Sequence, residues 1–136
     1  MELSLVIPVW NDAAGLNRLL RQVAELKLFK QIIVVDDASD FVLGPDSVPE
    51  SIALSEQILW IRNDRQRGAG YSRNVGLDSV TSSHVLFFDS DDLFQESFRE
   101  IVELAECNPL NDEHSGNSVK KIDQFAFLIY RHDDTR

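Results

Sequence analysis

Cysteine is nearly absent from this 136-residue chain. Cys107 has no second cysteine to pair with, so covalent bracing within the chain is excluded. It follows the apolar positions of an expected helix and reads as a helix-end residue rather than a reactive thiol. Long apolar runs are missing as well. None approaches the roughly 20 residues that span a bilayer. The amino terminus leads straight into a strand with no basic region ahead of it, so the expected compartment is the cytoplasm. Basic residues are scarce: 13 against 23 acidic ones leave a formal charge of -10, which argues against nonspecific nucleic-acid binding and an anionic membrane surface. An anionic ligand would need a cation or a local cluster of arginines. Glycine fingerprints are missing too. After the first strand, Pro8 to Gly15 reads PVWNDAAG, which disfavours a dinucleotide site, and no GxxxxGKS or GxxxxGKT occurs, which excludes a P-loop.

What the chain does contain is a pair of apolar strands that end in acids. His84 to Phe94 reads HVLFFDSDDLF, an apolar run breaking into three carboxylates within four residues. Such acids repel one another and gain little unless something positive, such as a divalent cation, joins them. The bland alternative is a solvated turn in which Asp92 caps a helix carrying Phe94, Phe98, Ile101 and Val102. Gln31 to Asp40, QIIVVDDASD, repeats the pattern. If both strands lie in one parallel sheet, Asp36 or Asp37 and Asp89 to Asp92 emerge on the same rim, where open α/β sheets bind ligands.

The remaining periodicity alternates strand and helix. Strands are expected at Leu3 to Val9, stopped by Pro8 near its end, and at Ile32 to Val35, Ile58 to Ile61, His84 to Phe88 and Phe125 to Tyr130. A helix capped by Asn11 or Asp12 carries Leu16, Leu19, Leu20, Val23 and Leu26. Ala38 to Pro49 reads as a loop, with a short helix near Glu50 to Glu56. Further helices are expected at Arg67 to Ser79, with Ala69, Ser72, Val75, Gly76 and Val80 along one side, and at Leu93 to Glu106, followed by a polar loop at Asn108 to Ser118. Strands separated by helices imply right-handed crossovers, hence an α/β fold with a mostly parallel sheet and helices on both faces. A 15.5 kDa chain with 43% hydrophobic residues can supply the core. A phosphoacceptor receiver domain is disfavoured, because the acid pair follows the second strand and the only late lysines, Lys120 and Lys121, precede the last one.

Four segments in order, LVIPVWNDAAGLNRLL from Leu5, QIIVVDDASD from Gln31, IRNDRQRGAGYSRNVGLD from Ile61 and HVLFFDSDD from His84, resemble the inverting glycosyltransferases of family 2. DQFAFLIY at Asp123 to Tyr130 is similar, more weakly, to the strand after that family's metal motif. The resemblance implies a Rossmann-like GT-A nucleotide-sugar binding fold over residues 1–136, incomplete in that the family's acceptor half is not present. It implies that Pro8, Val9 and Trp10 flank a nucleotide base, with Trp10 where tyrosine is usual, and that Asp37 accepts a hydrogen bond from the base. Asp36 looks like the structural neighbour of Asp37. Arg73 lies beside the nucleotide, and Asp89, Ser90 and Asp91 form a DxD motif. Its first position faces the ribose and its last holds Mg²⁺ or Mn²⁺, with Asp89 and Asp91 as metal residues.

The implied function is metal-dependent transfer, with inversion, of a sugar from a nucleotide-diphosphate sugar, UDP-sugars favoured, to a glycan or lipid-linked acceptor. The alternative is a noncatalytic nucleotide-sugar binding module, or a truncated domain needing a partner. In the family the general base lies far downstream of the DxD motif. Here only His132, Asp133 and Asp134 follow the last strand, and they read as a solvated tail, so no base is assigned. Attachment to the inner face of a membrane would fall to regions or partners outside the chain. Other polar residues have blander readings. His84 is a hydrogen-bonded strand residue and His114 a loop residue; Gly68, Gly70 and Gly76 either cradle phosphate or serve a helix start and close helix packing. Arg62, Arg65 and Arg67 either attract a diphosphate or pair with surface carboxylates.

Overall fold

The computed structural model describes residues 2–55, 58–107 and 129–131. Along the chain, β1 (Leu3–Val9) leads to α1 (Ala13–Leu26) and β2 (Gln31–Asp36). A single 3-10 turn at Pro45–Ser47 and α2 (Glu50–Ser55) precede β3 (Ile58–Arg62). Then come α3 (Ala69–Asp78), β4 (His84–Phe87), α4 (Phe98–Cys107) and β5 (Ile129–Arg131). One sheet has the strand order β3-β2-β1-β4-β5. The first four of these are mutually parallel, and β5 runs antiparallel to β4, with Leu86 opposite Ile129 and His84 opposite Arg131. Of the strand expected at Phe125 to Tyr130, the part before Ile129 lies outside the described residues, as do the polar loop after Cys107 and His132 to Asp134.

Every residue of β1 is buried, as a central parallel strand with both faces covered requires. Side-chain alternation divides the core in two. Leu3, Leu5, Ile7 and Val9 join Ile32, Val34 and Leu86 against the α1 stripe of Leu16, Leu19, Leu20 and Val23. On the other face Val6, Ile33, Val35 and Val85 pack with Val80 and with the partly buried Val75 of α3. Helix α3 rides close to the sheet because Gly76 has no side chain: a Cβ there would lie 2.4 Å from Val6 Cγ1. Of the residues expected along its inner side, Ser72, Gly76 and Val80 are buried, whereas Ala69 is exposed at the first turn.

Two expectations are corrected. Pro8 does not stop β1, which stays paired to β2 through Pro8 opposite Val35 and Val9 opposite Asp36. Pairing with β4 is what ends, at Val6 opposite Phe87. The Val6 carbonyl accepts from Phe88 N, whereas the Val9 carbonyl accepts from Asp37 N, so Pro8 turns its hydrogen-free nitrogen toward the β4 side. The second correction concerns Leu93 to Ser97, which do not open α4; that helix starts at Phe98. The Gln22 side chain holds the Phe94 backbone by donating Nε2–H to its carbonyl (3.1 Å) and accepting its N–H at Oε1 (2.7 Å), which removes both groups from helical bonding. Asp92 is therefore not a helix cap.

Candidate functional site

Site residues gather where β1, β2 and β4 end, on the carboxyl rim of the sheet. Asp36 closes β2 fully buried, and its carboxylate accepts from Ser39 N (3.0 Å), Leu43 N (3.2 Å) and Arg62 Nη1 (2.6 Å). Burial alone would raise its pKa. The hydrogen bonds from Ser39, Leu43 and Arg62 outweigh that and hold it below the ordinary 3.8. It is a structural anchor for the loop after β2, as its place beside Asp37 suggested.

Asp37 is also buried, and the next loop wraps around it. Its Oδ1 accepts from Asn63 Nδ2 and Arg67 N, each at 2.8 Å, and its Oδ2 accepts from Gly68 N at 2.8 Å. Burial pushes its pKa up, but these bonds, led by Asn63, prevail and keep it low. A carboxylate offers about four acceptor positions, of which Asn63, Arg67 and Gly68 fill three, and the Ser72 hydroxyl, which donates to the Gly68 carbonyl (3.0 Å), also lies beside it and helps keep its pKa low. Gly68 has φ +96, the left-handed region that favours glycine, and this lets its N–H reach Asp37 just ahead of α3. Asn63 also donates to Ser72 Oγ at 3.0 Å, tying this loop to α3. Asn63 stood in the sequence motif without an assigned role; its position one residue past β3 was the only signal.

At the end of β1, Pro8 and Val9 are buried in the strand, and Trp10 presents a half-exposed ring (48%) at the rim. Asn11 adopts φ 50 and locks the adjoining loops: its N–H donates to Ser39 Oγ (2.9 Å) and its Oδ1 accepts from Asp40 N (2.8 Å). Next to it a cleft of about 340 Å³ is lined by Asn11, Asp12, Ser39, Asp40, Phe41 and other residues of these loops.

Beyond β4 the acidic segment forms a turn. Asp89 N–H donates to Asp92 Oδ2 and Asp92 N–H to the Asp89 carbonyl, both at 2.9 Å. The rings of Phe88 and Phe94, one on each side of it, stack with centroids 4.1 Å apart and clasp the turn at its base. One carboxylate oxygen from each of Asp89, Asp91 and Asp92 lies within 4.8 Å of the others, with Asp91 and Asp92 exposed. Hard anionic oxygens grouped this closely suit a Mg²⁺- or Mn²⁺-type cation. The sequence named Asp89 and Asp91; Asp92 joins them because it closes the turn instead of starting a helix. Arg73 of α3 reaches the same cluster through Nη2, 2.7 Å from Asp89 Oδ1. Ser90 is buried and donates to Asp12 Oδ2 at 2.8 Å.

Of the arginines read as either attracting a diphosphate or pairing with surface carboxylates, Arg67 takes a surface partner, whereas the partner of Arg62 is a buried carboxylate. Arg62 pairs with Asp36, and Arg67 pairs with Asp64 (3.1 Å) and lies over the Tyr71 ring. His84 Nδ1 is hydrogen-bonded with Ser83 Oγ at 2.8 Å, and His114 lies outside the described residues. No helix among the described residues is long and apolar enough to cross a membrane.

Comparison with known proteins places the chain in a family and its fold among solved enzymes. The family described as glycosyl transferase family 2 matches residues 4–124, and the chain belongs to that family. An uncharacterized glycosyltransferase of Haemophilus influenzae is 31% identical over 109 residues, covering 79% of this chain and 35% of that relative, so the chain spans about a third of its length. Among solved structures, S. aureus TarS superposes with a TM-score of 0.72 at 19% identity, over 97% of this chain and 28% of TarS. A TarS fragment is also solved with UDP and with UDP-GlcNAc. A mannosyltransferase from Pyrobaculum calidifontis, in complex with GDP-Man and Mn²⁺, superposes with a TM-score of 0.69 at 20% identity, over 89% of this chain and 36% of that one. The fold is that of the GT-A glycosyltransferases.

Proposed function

We propose that this chain is the donor-binding part of a metal-dependent, inverting glycosyltransferase. It takes a nucleotide-diphosphate sugar, UDP-sugars favoured, as donor for a glycan or lipid-linked acceptor. The observation that carries the reading is the grouping of Asp89, Asp91 and Asp92 on the same rim as Asp37 and Trp10. Solved GT-A neighbours that bind UDP, UDP-GlcNAc or GDP-Man, one of them with Mn²⁺, lend it support.

In this reading each group has a part set by its surroundings. Trp10 offers its exposed face to the base, and Asp37 uses its remaining acceptor capacity for a base N–H. Arg73, beside the acids, supplies positive charge for the diphosphate in a chain that is otherwise strongly acidic. Asp89, Asp91 and Asp92 would hold Mg²⁺ or Mn²⁺, which when bound neutralises charge developing on the diphosphate leaving group. Proton removal from the acceptor hydroxyl and acceptor binding fall to residues outside this donor site.

Calorimetric titration with UDP and GDP, each with and without Mn²⁺, tests the reading. UDP binding that strengthens with Mn²⁺ is expected. Failure of both nucleotides to bind in the presence of Mn²⁺ would remove it.

A further inference from the structure

We infer that Asp12 is a positioning residue for the acidic turn, acting through Ser90; this rests on the reading that Asp89, Asp91 and Asp92 hold a divalent cation. Asp12 is 78 positions from Ser90 in sequence, and its two oxygens serve two elements. Oδ1 accepts from Gly15 N at 3.0 Å and caps α1; Oδ2 accepts the Ser90 hydroxyl at 2.8 Å. The carboxylate occupies the space a side chain at position 15 would fill, with Oδ2 2.2 Å from where a Gly15 Cβ would sit. Glycine there is what lets Asp12 fold back over the first turn while still reaching Ser90.

Ser90 stands between the two exposed-side acids Asp89 and Asp91, yet is itself only 7% exposed. Its hydroxyl therefore fixes the backbone from which both carboxylates project. The Asp89–Asp92 hydrogen bonds close the turn upon itself, and the Phe88–Phe94 stack holds its base. The Ser90–Asp12 bond ties the turn to the start of α1. Loss of a hydrogen bond that orients cation-holding groups typically costs metal affinity about tenfold or more, and the Ser90–Asp12 bond orients them through the backbone of the turn.

The test measures Mn²⁺ binding by the loss of the free-ion electron paramagnetic resonance signal, alongside thermal midpoints by circular dichroism, for the parent chain and a set of variants. Ser90→Ala is expected to weaken Mn²⁺ about tenfold while leaving the α1 cap in place, and Ser90→Thr, which restores a hydroxyl, to recover most of the affinity. Asp12→Ala should weaken Mn²⁺ to a similar degree and also lower the midpoint. The double variant Asp12→Ala/Ser90→Ala should bind Mn²⁺ no more weakly than Asp12→Ala alone, because both remove one link. Asp91→Ala serves as the control for the site itself. Mn²⁺ affinity unchanged in Ser90→Ala and Asp12→Ala but weakened in Asp91→Ala overturns the inference alone. Additive losses in the double variant also overturn it. A parent that does not bind Mn²⁺, or an Asp91→Ala variant that binds it equally well, overturns the metal reading and the inference with it.

Discussion

Arg73 and Asp89 form an ion pair of 2.7 Å, linking α3 to the first carboxylate beyond β4. Their side chains are 38% and 46% exposed, so solvent screening leaves the pair little weight in stability. Its consequence lies in occupancy, since Asp89 also belongs to the acidic group with Asp91 and Asp92.

Replacing Arg73 should therefore split two affinities in opposite directions. Arg73→Ala removes a fixed positive charge beside the acids, so Mn²⁺ alone should bind more tightly by on the order of 1 kcal/mol, about fivefold. The nucleotide diphosphate, losing a cationic partner, should bind more weakly in the presence of Mn²⁺. Separate titrations of the ion and of UDP check this, and a fall in both affinities would show that Arg73 and the cation do not compete for Asp89.

Asp37 holds three donors of the loop before α3, and this predicts instability in the absence of any ligand. Asp37→Ala leaves the buried Asn63 amide short of an acceptor, typically about 1 to 3 kcal/mol, and the part-buried Arg67 and Gly68 N–H groups unpaired at a smaller cost. Asp37→Asn gives little relief: an amide has one oxygen, so its NH₂ must face an N–H donor on one side. Urea denaturation should place both variants well below the parent, and an Asn variant as stable as the parent would mean that the loop does not depend on this carboxylate.

Asp36 and Asp37 both have folded-state pKa values held below the ordinary 3.8. In each, the hydrogen bonds to the ionised form override burial. The unfolded chain thus binds protons more readily than the folded one as pH falls, so the stabilisation these groups give is complete above about pH 4 to 5 and is lost as pH drops through their lowered folded values. Denaturation midpoints should fall steeply below pH 4, and Asp36→Asn should be less stable at pH 7 with a shallower acid limb. An acid limb identical in slope to the parent's would remove Asp36 from its cause.

Gly76 sets the distance between α3 and the sheet. Gly76→Ala places a methyl 2.4 Å from Val6 Cγ1 and 3.3 Å from Val35 Cγ2. Overpacking of this kind typically costs about 1 to 3 kcal/mol, more than the gain of up to about 1 kcal/mol that alanine brings to a helix. Val6→Ala should offset part of the loss, so the double variant is expected to be less destabilised than the sum of the single ones. Strict additivity in urea denaturation would locate the strain elsewhere.

Much of this architecture was legible because burial and periodicity coincide. The largely apolar β1, the Leu16, Leu19, Leu20 and Val23 stripe and the two acid-terminated strands pointed to the parallel sheet and the rim. The three clustered acids suggested a cation, and the family resemblance singled out Asp89 and Asp91 among them. Where the reading failed, a distant side chain had overridden a local preference. Asp92 and Phe94 carry a plausible helix start, but Gln22, 72 positions from Phe94, takes the Phe94 backbone out of helical bonding. Asp12 looked like one of two possible caps, and its bond to Ser90 joins segments that no local pattern relates. Asn63 signalled its place against Asp37 only by lying one residue past β3, because its partner stands just beyond the neighbouring strand β2.

Pro8 has a bearing on how the crevice endures sequence change. In the β1–β4 ladder the rung after Phe88 N to Val6 O would require an N–H from position 8, and proline has none. Mutational drift toward better strand formers after Phe88 could not simply zip β4 further along β1 and bury the acids in a longer sheet. The gap between these neighbouring strands is thus kept open by a missing hydrogen atom in the backbone, a safeguard that does not depend on which side chains line the rim.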